Sequence, residues 1–205
     1  MKLVFDFGGV VFRWRPHELL ARTLPCRAGD PSTAVALAAE VFQHPTGDWA
    51  EFDRGTVGPV ALAQRIASRT GMSVDEVQRV IDAVPDELQP QADTVQLLAR
   101  LRDAGHRLFY LSNMPAPYAG HLERTHGFMR WFDDGLFSSR VHLIKPEPAI
   151  FQEAERRFGG AEELVFVDDH AANVEAARAL GWQAVRFVNA AQCASDLAAL
   201  GVRLD

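Results

Sequence analysis

Lys2-Leu3-Val4-Phe5-Asp6-Phe7-Gly8-Gly9 is a short apolar run that ends in a carboxylate and a pair of glycines. Its apolar residues are successive rather than alternating, which predicts a strand buried on both faces, as in a parallel sheet covered by helices. Two further runs have the same character, Arg107-Leu108-Phe109-Tyr110-Leu111 and Leu164-Val165-Phe166-Val167-Asp168, and shorter ones lie at 136–138 and 184–188. Helical patterns separate them: 94–103, stopped by Ala104-Gly105; 118–125; 147–158, with Ile150, Ala154 and Phe158 at intervals of four; and 172–180, stopped by Gly181. Strands alternating with helices predict right-handed crossovers and a parallel sheet. The expected fold class is therefore α/β, a doubly wound, Rossmann-like parallel sheet.

Residues 14–89 break this rhythm, because they hold no strand-like run. Residues 32–43 are alanine-rich, and Pro59 precedes Val60-Ala61-Leu62 where a first-turn proline belongs. Ser73-Val74-Asp75-Glu76 has capping-box spacing ahead of Val77, Val80 and Ile81. The expected organisation is a core of residues 1–13 and 90–205 carrying an inserted, small, all-helical cap at 14–89.

Composition narrows the class. Of 205 residues, 48% are hydrophobic and 23% charged, ordinary for a chain that buries a core. No apolar run approaches the roughly 18 residues of a membrane helix, and an aspartate at position 6 reads against a signal peptide. Cys26 and Cys193 lie too far apart for a disulfide framework or a metal-ligand spacing. The net charge of −6 argues against a nucleic-acid partner. A cytoplasmic protein with neither nucleic acid nor membrane as partner is expected, and the sequence specifies no oligomeric state.

In sheets of this kind, ligands bind beyond the carboxyl ends of the strands. The polar residues predicted there are Asp6, Ser112-Asn113, Lys145 and Asp168-Asp169. Each alone is compatible with ordinary turn, cap or solvated-loop chemistry. Together they offer carboxylates, a hydroxyl, an amide and a cation, a set suited to Mg²⁺ and a phosphate. A carboxylate beside such a metal can attack phosphorus to give an aspartyl-phosphate. Lys145 stands out because the chain has one other lysine, Lys2, against nineteen arginines. No Gly-x-Gly-x-x-Gly follows the first strand, which disfavours a dinucleotide site.

These four stretches resemble, in order and over nearly the whole chain, the motifs of the haloacid dehalogenase-like hydrolases. Val4-Phe5-Asp6-Phe7-Gly8-Gly9-Val10-Val11 is similar to the first, which implies Asp6 as nucleophile, with Phe7 and Gly8 offering main-chain groups to the phosphate. Leu111-Ser112-Asn113 resembles the second, which implies phosphate binding. Lys145-Pro146-Glu147 resembles the third, which implies a lysine that neutralises nucleophile and phosphate. Val165-Phe166-Val167-Asp168-Asp169-His170-Ala171-Ala172-Asn173 resembles the fourth, which implies Mg²⁺ held by Asp6, the Gly8 carbonyl and Asp168, with Asp169 assisting. The insertion resembles the helical cap of subclass I, and the opening is most similar to a subgroup of glucose-1-phosphate phosphatases and phosphatase-like domains of epoxide hydrolases.

The resemblance implies a Mg²⁺-dependent phosphatase of a small phosphorylated metabolite, most naturally a sugar phosphate. One position departs from the pattern. Gly8 stands where most of the family's phosphatases carry a second aspartate that protonates the leaving group, a contribution of roughly 10²–10⁴-fold. Either the substrate has a good leaving group, or another residue such as His170 takes the role, or turnover is slow. A 2-haloacid dehalogenase is the alternative enzyme, and a non-catalytic module on the same fold the alternative class. Trp49-Ala50-Glu51-Phe52-Asp53-Arg54-Gly55 resembles the cap loop that faces the site, with Trp49 and Arg54 the candidate substrate contacts and Trp14 a further lining residue. His17 and His142 carry less weight, and Asp133-Asp134 reads as a solvated turn.

Overall fold

The computed structural model describes residues 1–43 and 46–204. Five strands, β1 (Lys2–Phe5), β2 (Arg107–Ser112), β3 (Asp134–Phe137), β4 (Leu164–Asp168) and β5 (Gln183–Arg186), form one parallel sheet in the order β3-β2-β1-β4-β5. The predicted fold class is the observed one. The strand ends shift by up to two residues: β3 begins at Asp134, and β5 closes before Phe187. Asp134 is thus a strand residue, paired with Arg157 at 2.6 Å, while Asp133 remains exposed.

Alternation along each strand sends two sets of side chains to opposite faces. Leu3, Phe5, Leu108, Tyr110, Val165 and Val167 join one apolar cluster, which also takes in α6 (Ala92–Asp103) and α11 (Ala190–Ala199). Val4, Phe109, Leu111 and Phe166 join a second, closed by α9 (Pro148–Phe158) and α10 (Ala171–Ala179). The central strands are therefore dry on both faces, and their apolar runs need no alternation.

Between β1 and α6 the chain forms five helices, α1 (Pro16–Thr23), α2 (Pro31–Phe42), α3 (Asp48–Arg54), α4 (Pro59–Thr70) and α5 (Val74–Glu87). Their starts follow local chemistry. Pro59 sits in the first turn of α4, and Ser73 and Glu76 cap α5 reciprocally. Asp30 likewise caps α2, its side chain accepting from the Ser32 and Thr33 amides. The insertion's apolar residues, among them Leu20, Ile66 and Val80, are continuous with the first face of the sheet.

The two connectors to the insertion run side by side. The Arg13 amide donates to the Gln89 carbonyl and the Gln91 amide to that of Val11, both at 2.8 Å. Beneath them Glu87, fully buried, accepts from Arg13 at 3.0 Å and Arg22 at 3.1 Å, and from the Arg15 amide at 3.3 Å.

The remaining helices, α7 (Ala116–Thr125) and the single turn α8 (Ser138–Val141), follow β2 and β3. Helix α7 begins two residues ahead of the predicted 118, at the proline-led turn Pro115-Ala116-Pro117.

Candidate active site

The chain runs from β1 outward to β2 and β3, then returns across to β4 and β5. The reversal falls between β1 and β4, and the crevice at such a switch point is where parallel sheets bind ligands. Asp6 leaves β1 there, its amide still bonded to the Val167 carbonyl at 2.9 Å, and Asp168-Asp169 leave β4 beside it.

Lys145 binds this pair together. Its Nζ, 1% exposed, lies 2.9 Å from Asp6 Oδ1 and 2.6 Å from Asp168 Oδ2. Asn113 fixes the lysine's main chain from both sides, with Nδ2 donating to the Lys145 carbonyl at 3.0 Å and Oδ1 accepting from its amide at 2.8 Å. The Asn113 side chain thus braces the lysine rather than being left free for a phosphate.

Asp168 is fully engaged. Besides Lys145, it accepts from Asn173 Nδ2 on both oxygens, at 3.0 and 3.1 Å, and from the His170 amide at 2.7 Å. Asn173 sits in the first turn of α10, so the helix start both caps the turn and orients the carboxylate. Asp169 is different. It is partly exposed to the cavity, and its Oδ1 is buried with no hydrogen-bond partner among the described residues.

The loop after β1 explains the glycine pair. The amides of Val10, Val11 and Phe12 all converge on the Phe7 carbonyl, winding residues 7–12 into one tight turn. Gly9 has φ +80°, and a Cβ there would lie 2.5 Å from Asp169 Oδ2. Gly8 is unconstrained, since its nearest neighbour would be Trp14 Cβ at 3.9 Å. The Phe7 amide donates to Asp6 Oδ1 at 2.7 Å, so it orients the carboxylate, while its ring is core, packed against Tyr110 and Phe137. Ser112 is buried at the end of β2, its Oγ lacking a partner among the described residues.

Electrostatics follow from burial and crowding. Asp6 is pushed up to about 7 by burial, with Lys145 opposing and Asp168 and Asp169 adding to the rise. Asp169 is raised to about 6 by burial and the neighbouring Asp168. Burial alone would lower Lys145, but Asp168 and Asp6 reverse this and hold its ammonium above the ordinary value.

A cavity of about 480 Å³ opens above these groups, touching Asp6, Gly8, Asn113, Lys145 and Asp169 at its base, with His170 and Asn173. The insertion forms its roof. Trp14 and Trp49 line it as expected, but Arg54 does not, being held outside by Glu147 at 2.5 Å. His142 holds the Arg54 carbonyl at 3.0 Å, and His17 is exposed.

The residue that sequence reasoning passed over is Asp53. It lines the cavity and is raised to about 8 by burial and the nearby charge of Asp6, with Lys145 opposing. Trp49 and Asp53 are four apart on α3 and so share one face, a spacing that separates both from Arg54. The end of α3 is docked by Ser138 Oγ, which donates to the Asp53 carbonyl at 2.5 Å, and by Gly55, where a Cβ would lie 2.7 Å from the Ser139 carbonyl.

Asp6, Asp168 and Asp169 each present an oxygen within 4.8 Å of the others. Three crowded carboxylates with one unpartnered oxygen fit a hard divalent cation. A parallel α/β sheet with a carboxylate cluster and a buried lysine at its switch point makes an acidic, cation-ready centre. The haloacid dehalogenase-like hydrolase family model matches residues 3–181, and the chain belongs to that family.

Its relatives differ in chemistry. A sesquiterpene phosphatase from Aspergillus oryzae is 28% identical over 87% of this chain and 85% of its own. An (S)-2-haloacid dehalogenase from Pseudomonas putida is 31% identical over 66% of this chain and 60% of its own. A haloacid dehalogenase-family enzyme from Bacteroides thetaiotaomicron, solved with magnesium and inorganic phosphate, superposes with a TM-score of 0.72 at 19% identity, over 94% of this chain and 98% of that one.

Proposed function

We propose that this hydrolase is a Mg²⁺-dependent phosphomonoesterase, with residues 1–13 and 90–205 as its catalytic core and 14–89 as its cap. The observation that carries the reading is the Asp6–Lys145–Asp168 cluster beside the unpartnered oxygen of Asp169. Displacement of a halide from carbon needs the nucleophile and a cation, but gives the Asp169 carboxylate no task.

Asp6 attacks phosphorus through one carboxylate oxygen as the P–O bond to the substrate alcohol breaks. Water then attacks the aspartyl-phosphate, releasing phosphate and restoring Asp6. Asp6, Asp169 and the Gly8 carbonyl would hold Mg²⁺, with Asp168 nearby and already saturated by Lys145, Asn173 and the His170 amide. When bound, the metal supplies positive charge to the phosphoryl oxygens. Lys145 stabilises the same oxygens as a point charge, and Ser112 together with the Asn113 main chain closes the phosphate pocket.

Gly8 has no side chain to protonate the leaving oxygen. Asp53 is the carboxyl that the insertion brings into the cavity wall, in a neutral form at pH 7, and it takes that role. His170 also lines the cavity but is nearly half exposed.

The deciding assay measures phosphate release from aryl and alkyl phosphates, and halide release from chloroacetate, each with Mg²⁺ and with EDTA. Mg²⁺-dependent phosphate release that Asp6→Asn abolishes is expected. Halide release that survives EDTA would reverse the assignment to a dehalogenase. For Asp53→Asn, rates on alkyl phosphates should fall by about 10²-fold or more while aryl phosphates, with good leaving groups, are spared. Equal losses on both would remove Asp53 from the role.

A further inference from the structure

The roof of the cavity is hydrocarbon. The insertion contributes Trp14, Phe42, Trp49, Val84 and Leu88 to it and, among the described residues, two polar side chains besides the indole N–H groups, Gln43 and Asp53. No lysine or arginine of the insertion lines it among the described residues. The aromatic wall is packed edge to face: Trp14 meets Phe42 at 5.2 Å, and Phe42 meets Trp49 at 4.5 Å. Tyr118 presents its ring but not its hydroxyl, which donates to the Ile81 carbonyl at 2.9 Å. Hydrogen-bonding groups above the carboxylate base are therefore few against the apolar surface, namely Gln43, Asp53 and the indole N–H groups of Trp14 and Trp49 among the described residues.

A sugar would bring several hydroxyls into this space, more than these few groups can pair, and each one left over loses water at a cost. A hydrocarbon body loses nothing there and gains from burial. We infer that the substrate is a phosphate monoester of an apolar alcohol, its phosphate on the Asp6–Lys145 base and its hydrocarbon against Trp14, Phe42 and Trp49. The expectation of a sugar phosphate is replaced by this class. At about 30 Å³ per heavy-atom group, the share of a liquid water, the cavity holds the phosphate and a body of roughly ten carbons. The inference rests on the phosphatase reading for the phosphate end and on the cavity walls alone for the other.

The test uses two homologous series with Mg²⁺ present. In n-alkylphosphonates from two to twelve carbons, which cannot be hydrolysed, affinity is read by titration calorimetry. In n-alkyl phosphates of the same lengths, together with glucose 1- and 6-phosphates, phosphate release is read. Affinity should rise about fourfold per methylene and level off near ten carbons, the increment of burying one methylene, with binding heat capacity growing more negative along the series. The sugar phosphates should be the poorest of the set. Trp49→Ala should flatten the dependence on chain length.

Affinities within about twofold along the series, or tighter binding of sugar phosphates, would overturn the inference, and Asp6-dependent phosphate release would then leave the phosphatase reading intact. Length-dependent binding without phosphate release from any ester would keep the apolar occupant and remove the phosphatase.

Discussion

Adjacent glycines in the loop after β1 should respond oppositely to the same substitution. At Gly8 a new Cβ meets only the Trp14 side chain, at 3.9 and 4.0 Å, ordinary contact distances. The backbone there is one that alanine adopts freely, so Gly8→Ala should stabilise by about 0.4–1 kcal/mol through the unfolded chain. For a chain of this size that raises Tm by roughly 1–4 °C. Gly9 has φ +80°, where a Cβ costs about 1–2 kcal/mol, lowering Tm by roughly 2–8 °C. The added methyl would also sit 2.5 Å from Asp169 Oδ2 and 2.8 Å from its Cγ. That side chain can swing clear, but only by retreating about 1 Å from the position that groups it with Asp6 and Asp168, since nonbonded contacts need about 3.5 Å. Gly9→Ala should therefore weaken Mg²⁺ binding by about 10–100-fold, the scale of losing a group that supports a metal ligand. Thermal unfolding in EDTA and across a Mg²⁺ titration reads both quantities, because a ligand of the native state raises Tm with its concentration. A Gly9→Ala protein with the wild-type Mg²⁺ response, or a Gly8→Ala protein as destabilised as its neighbour, would refute the reasoning.

Three other perturbations follow from the same geometry. Lys145→Met leaves Asp6 and Asp168 buried without their cation, a loss of about 3–5 kcal/mol; Tm should fall more at pH 8 than at pH 6, because Asp6, raised further once the lysine no longer opposes burial, takes up a proton more readily at the lower pH, and a pH-independent loss would count against the pairing. Asp53 is raised to about 8, so the folded state keeps a proton that the unfolded chain loses near pH 4. That contribution is complete at acid pH and disappears as pH climbs through 8, so Asp53→Asn should show a shallower decline in stability between pH 5 and 9 than the wild type, in urea titrations. Glu87→Ala removes the shared partner of Arg13 and Arg22; both arginines are about half exposed and can rehydrate, so about 2–3 kcal/mol is expected, and a change under 0.5 kcal/mol would show that the connectors need no such tie.

How much of this was legible beforehand depends on how local each cause is. The apolar runs at 2–7, 107–111 and 164–168 declared buried parallel strands, because strands dry on both faces lose alternation. The residues at their ends declared the site, because chain order and strand ends suffice to collect Asp6, Lys145, Asp168 and Asp169. What escaped was set by tertiary contact. Asp53 reaches the cavity because α3 is docked on Ser138 and Ser139, some 85 residues further along the chain. Arg54 looked the better candidate by charge, yet Glu147 draws it outside. The unequal states of Asp168 and Asp169 likewise depend on Asn173 and Lys145 both pairing with Asp168, a partition the motifs do not specify. The hydrocarbon roof is assembled from α2, α3, α5 and α7, and no single helix announces it.

The paired connectors at Arg13–Gln89 and Val11–Gln91 have a consequence for how this enzyme can change. The chain leaves the sheet and comes back at nearly the same point, closed by two main-chain bonds that do not depend on side-chain identity. Everything between is a loop in the topological sense, however much structure it holds. The strands and their order lie wholly outside that loop, while the loop's apolar residues cover one face of the sheet. The carboxylates and the lysine at the strand ends lie outside that length of chain, so a different roof spliced between residues 13 and 89 would meet them below but would have to bring its own counterpart of Asp53.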